Sequence, residues 1–204
     1  MTRQEMKANA KASIKGHIWM LLLIFIIAAA IEGVCSIIPV VGSLASFFVV
    51  TPAITFGLLI IYFHVANNEA FEIAELFEAF KGAKFWSMFK VIFFSGLYTM
   101  LWSCLLVVPG IIKAFSYSMA QFIIAENPTM GANDAITLSR KMMDGHKWEY
   151  FVFILSFIGW CLLACLTFGL LYIWLLPYMQ TAQINFYKNV KAAYEGKAEA
   201  PVAE

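Results

Sequence analysis

Two ionisable residues sit inside long apolar stretches: Glu32, within Ile18–Val41, and Lys113, just after Pro109-Gly110. An ionised side chain in hydrocarbon is costly unless paired or hydrated, so both are candidate functional residues by default. Counted from Ile38 at about 1.5 Å per residue, Glu32 lies about 9 Å inside the outer end of its stretch. Lys113 lies at a similar depth. Either the two pair and line an outward-facing cavity, or Lys113 snorkels to the surface while Glu32 is neutral and bonded to a neighbouring helix. Two polar runs accompany them: Ser116, Ser118 and Gln121, then Gln180, Thr181, Gln183 and Asn185. Such runs can line a substrate path, and more commonly they bond one membrane helix to another.

Other chemistry is sparse. Cys35, Cys104, Cys161 and Cys165 all fall in apolar segments with no CxxC pair, so neither a secreted disulfide framework nor a metal site is expected. His17 and His146, with His64 near the same level, can meet lipid phosphate beside Lys15, Lys84 and Lys147, or serve as amphipathic belt residues. Phosphate-cradling loops, HExxH, GxSxG and paired intramembrane acids are absent, so no enzyme and no cofactor is expected. The Lys/Arg patches are interfacial, which gives no indication of nucleic acid.

The elements that must position these residues follow from composition. The chain is 62% hydrophobic and only 13% charged, against about 25% charged in soluble domains. The bilayer must therefore solvate most of it. Six spans are predicted: Ile18–Ile38, Phe47–Val65 with a kink at Pro52, Val91–Val108, Ile111–Ala125, Phe151–Leu166 and Leu170–Phe186. The fold class is thus all-α, a multi-pass transmembrane helical bundle in one integral-membrane domain over 1–187, with a cytoplasmic tail at 188–204. The basic N-terminus before Ile18 imitates a signal peptide, but the apolar run is too long for one. The fourth span is short, about 22 Å at 1.5 Å per residue. It still has to cross, because otherwise Arg140, Lys141 and Lys147 would lie outside, against the positive-inside tendency. Six crossings leave only Glu32 and Lys113 away from the cytoplasmic side.

Three amphipathic helices are predicted at that side: Thr2–Lys15, Glu69–Lys81 capped by Asn67-Asn68, and Asp134–Asp144 capped by Asn133. The basic residues of the first recur every four positions, suiting anionic headgroups. In the second, Phe71, Phe77 and Phe80 fall on the apolar side. Each helix is followed by Gly16, Gly82 or Gly145 and then by an interfacial aromatic, Trp19, Trp86 or Trp148. The glycines recur at intervals of 66 and 63 residues, and Pro52–Tyr62 and Pro177–Tyr187 share one spacing. This reads either as three parallel repeats (1–66, 67–127, 128–187) or as the common liking of membrane entry points for a glycine stop and an aromatic belt.

One resemblance covers the chain. Pro109-Gly110-Ile111-Ile112-Lys113, Tyr117-Ser118-Met119-Ala120 and Glu126-Asn127-Pro128 form its central signature. Ser139-Arg140-Lys141-Met142-Met143-Asp144-Gly145 and Ser156-Phe157-Ile158-Gly159-Trp160 extend it, and Pro177-Tyr178 with Phe186-Tyr187 close it. In these motifs the chain resembles the bacterial integral-membrane proteins grouped as domain of unknown function 975, widespread in Firmicutes. The resemblance implies a multi-pass plasma-membrane protein. It supplies no catalytic or binding residues.

The sequence thus points to a non-enzymatic scaffold that meets membrane lipids, other membrane proteins or further copies of itself. The alternative is a small transporter whose polar path runs near Glu32 and Lys113. Topology is directly measurable: reporters fused to either terminus should both score as cytoplasmic, and an extracytoplasmic C-terminus would defeat the six-span arrangement.

Overall fold

The first helix begins where a capping box can form. Thr2 Oγ1 accepts from the Glu5 amide at 3.3 Å, and Glu5 Oε2 accepts from the Thr2 amide at 2.8 Å. Helix α1 (Arg3–Lys15) ends at Gly16, as the sequence predicts. In this computed structural model, which describes residues 2–37, 46–80, 84–167, 169 and 171–199, every further regular element is also helical. They are α2 (Ile18–Ser36), a π turn (Ser46–Val50) leading into α3 (Thr51–Asn67), and a 3-10 helix (Ile73–Phe80). Then come α4 (Lys84–Leu105), α5 (Val107–Tyr117), α6 (Ala120–Glu126), α7 (Ala132–Met142), α8 (Lys147–Leu155), α9 (Ile158–Leu166) and α10 (Tyr172–Glu199).

Among the described residues five stretches are long and apolar enough to cross a membrane: Ile18–Cys35, Ser46–Asn67, Lys84–Leu105, Val107–Glu126 and Lys147–Leu166. The expected sixth lies in α10 and is not among them, because Gln180, Thr181, Gln183 and Asn185 dilute its apolar run. The fourth is longer than the sequence alone predicts. Pro109 falls in the first turn of α5, where a missing amide proton costs nothing, so the helix starts before it. Pro52 likewise occupies the first turn of α3 and does not kink a helix interior. Residues 188–199, expected as a tail, continue α10. The turn at Pro39–Gly42 and the expected cap at Gly82 lie outside the described residues.

The second amphipathic segment also differs. Asn68 adopts φ 58° and closes α3 as its C-cap, so it does not start a new helix. The segment itself is a 3-10 helix, whose period of three rather than 3.6 re-aims the side chains. Leu76 and Ala79 are buried, while Phe77 and Phe80, expected on the apolar face, are exposed. In the third, α7 is capped from Gly131, two residues earlier than Asn133, and Gly145 comes after it at φ 82°.

Each of these three elements buries one face inside the bundle. The 3-10 helix packs on α3, α7 packs on α6 and α4, and α1 packs on α10, which joins the two ends of the chain. Small residues let the backbones approach. A β-carbon on Gly57 would stand 2.6 Å from Leu76 Cα. The fully buried Ser139 donates to the Ser116 carbonyl at 2.7 Å. Asn185 donates to the Met6 carbonyl at 3.2 Å beneath the buried row Met6, Ala10, Ile14. Gly110 plays the same part between α4 and α5, against Ser103.

The Gly57 contact is directly testable. Gly57→Ala places a methyl group against backbone that cannot swing away, and should cost ~1–3 kcal/mol, as overpacking does. Gly33→Ala, with nothing within 4 Å of the added carbon, should leave the thermal midpoint in detergent unchanged or slightly raised.

Candidate functional site

The polar residues of the fourth and sixth predicted spans converge. Gln121 on α6 and Gln180 on α10 line one cavity of about 160 Å³. Thr55 and Tyr62 of α3 supply the hydroxyl-bearing side chains of its wall, and Phe25, Leu58, Leu59 and Leu176 supply the apolar remainder. Gln180 Oε1 is buried with no hydrogen-bond partner among the described residues, and Thr181 Oγ1 beside it in sequence is in the same condition. A buried acceptor left unmet costs about 1–3 kcal/mol. Ser46 Oγ and Ser95 Oγ are in the same condition, Ser95 in the wall of a cleft between α4 and α5–α6.

Gln121 also lines a second, larger space of about 500 Å³ between α4 and α5–α6. Ser95, Thr99, Ser103 and Ser118 give that cleft a polar side. Thr99 and Ser103 bond back to the carbonyls of Ser95 and Thr99 at 2.7 and 2.8 Å, which satisfies hydroxyls inside an apolar helix. Ser116 behaves the same way toward Ile112 at 2.9 Å, and its carbonyl takes the Ser139 bond, so its role is structural rather than lining. Gln183 is half-buried and outside the cavity wall.

Glu32 and Lys113 do not pair, and of the two readings the one with Glu32 bonded to a neighbouring helix holds. Glu32 accepts from Thr51 Oγ1 at 3.1 Å, and the Lys113 ammonium lies 4.7 Å over the Trp102 ring. The cation–π contact lets Lys113 stay charged next to apolar surroundings without an acid. Neither residue lines the Gln121–Gln180 cavity.

The expected interfacial residues are dispersed. His17 stacks obliquely on Phe71 at 5.2 Å, His64 meets Glu75 at 2.9 Å, and His146 meets Glu149 at 3.2 Å, so the three histidines do not share a ligand. Lys84 pairs with Glu78 at 2.6 Å, and Lys147 stands 4.0 Å from Asp144. Trp19, Trp86 and Trp148 are 83%, 60% and 73% exposed, as belt residues must be. All four cysteines are free thiols, and among the described residues no cluster has the make-up of a metal site.

One constellation has almost no trace in the sequence. Glu126, at the end of α6, accepts from the Tyr187 hydroxyl at 2.7 Å and from Lys191 at 2.5 Å, while Lys188 reaches Asn67. Burial, with the Glu126 carboxylate behind it, pushes the Tyr187 hydroxyl above its ordinary value and keeps it a donor. This cluster ties α10 to the ends of α3 and α6. Its signals in the sequence are the shared Pro–Tyr spacing that ends at Tyr62 and Tyr187 and the motifs that hold Glu126 and Tyr187, none of which says that the two meet.

Two substitutions separate the structural polar residues from the intramembrane acid. Ser139→Ala should cost ~1 kcal/mol through the lost buried bond. Glu32→Gln, on a half-exposed residue that keeps its acceptor for Thr51, should stay within about 0.5 kcal/mol. Thermal midpoints in detergent micelles read both.

No curated protein and no solved structure matches the chain. Residues 104–194 match a family model described as a protein of unknown function, DUF975. The matched stretch holds the motifs from Pro109 onward, the Ser116–Ser139 bond and both glutamines of the cavity, and over these residues the chain is similar to the DUF975 family.

Proposed function

We propose that this protein is a non-enzymatic scaffold of the cell membrane, with both termini cytoplasmic, that holds anionic lipid headgroups and partner proteins at its inner face. The observation that carries this reading is helix α1. Its buried row of Met6, Ala10 and Ile14 fixes it to the bundle, and Arg3, Lys11 and Lys15 are exposed on the outside. None of these three meets an acidic side chain among the described residues, and its neighbour Glu5 is engaged in the capping box. A rigidly held row of unpaired cations attracts anionic headgroups at about 1 kcal/mol per residue near the surface.

Lys7 is the exception within that row. It donates to the Ser156 carbonyl at 3.2 Å and lies 4.1 Å from the Phe157 ring centre. Burial, and then the like charge of Arg3, lower its affinity for the proton. It thus fastens α1 to the junction of α8 and α9 and leaves lipid contact to the other three.

A triplicated architecture supports the scaffold reading. Met6, Ala10 and Ile14 precede Gly16 by ten, six and two positions, and Ala135, Ser139 and Met143 precede Gly145 by the same offsets. All six are buried. Leu76 holds the middle offset before Gly82 and is buried too. Each of these elements docks on the helix that ends the preceding hairpin, with α1 closing the series on α10. Three such units would present three equivalent faces to the membrane surface.

Native mass spectrometry of the protein purified in mild detergent tests the reading. The wild-type protein should retain anionic phospholipid, and the combined Arg3→Gln, Lys11→Gln, Lys15→Gln variant should lose most of it while keeping its fold. Equal retention by both proteins, or retention of zwitterionic lipid alone, would overturn the proposal.

A further inference from the structure

The basic face of helix α1 leaves the half-open pocket lined by Gln121 and Gln180 unexplained. Its wall combines two primary amides and two hydroxyl-bearing side chains with apolar carbon, and no charged residue lines either it or the adjoining cleft. An ion entering such a wall would lose its hydration without a counter-charge, so the chemistry selects against charge. At about 160 Å³ the space suits about five waters at about 30 Å³ each, or one molecule of a few heavy atoms. Gln180 Oε1 is an acceptor in need of a donor. The amide and hydroxyl groups of Gln121, Thr55 and Tyr62 can donate in return.

We propose that the space between α3, α6 and α10 is a binding site for a small uncharged polar molecule bearing both N–H donors and a carbonyl acceptor, of the primary-amide class. Its N–H donates to Gln180 Oε1, and its carbonyl accepts from the donors opposite. Gln121 belongs to the walls of both the cavity and the cleft between α4 and α5–α6, so it stands between the two spaces. The apolar remainder, Phe25 and Leu176 among it, takes the methyl or methylene part. This site is remote in kind from the basic face of α1, and its test does not depend on lipid retention.

Gln180→Leu removes the unmet acceptor and fills part of the space with carbon. Replacing an unsatisfied buried polar group by an apolar one is neutral or stabilising, so this variant should fold with an unchanged or higher thermal midpoint. Saturation-transfer difference NMR on the full chain in detergent micelles then reads occupancy with acetamide as the probe and acetate as its charged counterpart. Wild-type protein should give an acetamide signal that falls by about fivefold in Gln180→Leu, the weight of one net hydrogen bond. Thr55→Val, nearly equal in shape, should weaken it by a similar factor, and acetate should give no Gln180-dependent signal. An acetamide signal that is absent from the wild type, meaning a cavity for water alone, overturns the proposal. So does one that survives unchanged in both variants, or an acetate signal with the same dependence on Gln180.

Discussion

Everything in this fold depends on helices approaching closely enough to bury backbone against backbone where apolar side chains alone cannot discriminate protein from lipid. In hydrocarbon, leucine against leucine gains little over leucine against an acyl chain, so small residues and hydrogen bonds decide which helices meet. Gly57 admits the Leu76 backbone, Gly110 admits Ser103, and Ser139 reaches the Ser116 carbonyl. Remove that closeness and the three amphipathic elements lose the surfaces on which they rest. The candidate cavity would lose its shape with them, because α3, α6 and α10 are the helices those elements grip.

The polar groups divide by the same logic. Hydroxyls that bond back to a carbonyl four residues earlier, as at Thr99, Ser103 and Ser116, cost little in an apolar helix and report no function. The carboxylate at the end of α6 finds donors on the neighbouring helix, as Glu126 does in Tyr187 and Lys191 of α10. The residues left over are informative: the unmet acceptor of Gln180 inside, and the unpaired cations of α1 outside. They are the features on which the two proposed partners rest, a small neutral molecule and an anionic surface.

Several features were legible without coordinates. Glycine after an amphipathic run marks the end of α1 and the turn after α7, and the tryptophans beyond them are exposed. Gln121 and Gln180 stood out as polar residues in apolar runs. Their meeting was not legible, since 59 positions separate them and only the packing of α6 and α10 around one space joins them. Thr55 gave no signal and Tyr62 only the Pro–Tyr spacing, both being ordinary in an apolar helix until a cavity lies beside them. For Glu32 and Lys113 the sequence left two readings open, because equal depth says nothing about direction around the bundle; the contacts with Thr51 and Trp102 decide for the unpaired one.

Proline shows the same boundary at the scale of single turns. Pro52 and Pro109 suggested a kink and a stop, yet both occupy the first turn of a helix, where neither is disruptive. The sequence by itself determined the solvent, because a chain this apolar has to be dissolved by lipid. It also determined the helical class, because no other open structure satisfies its backbone there. Which helices touch, where the 3-10 helix turns its phenylalanines outward, and which amide is left without a partner were decided by tertiary structure alone. Those outcomes depend on the sub-ångström fit of backbones at a few small residues, and no local pattern of hydropathy encodes that fit.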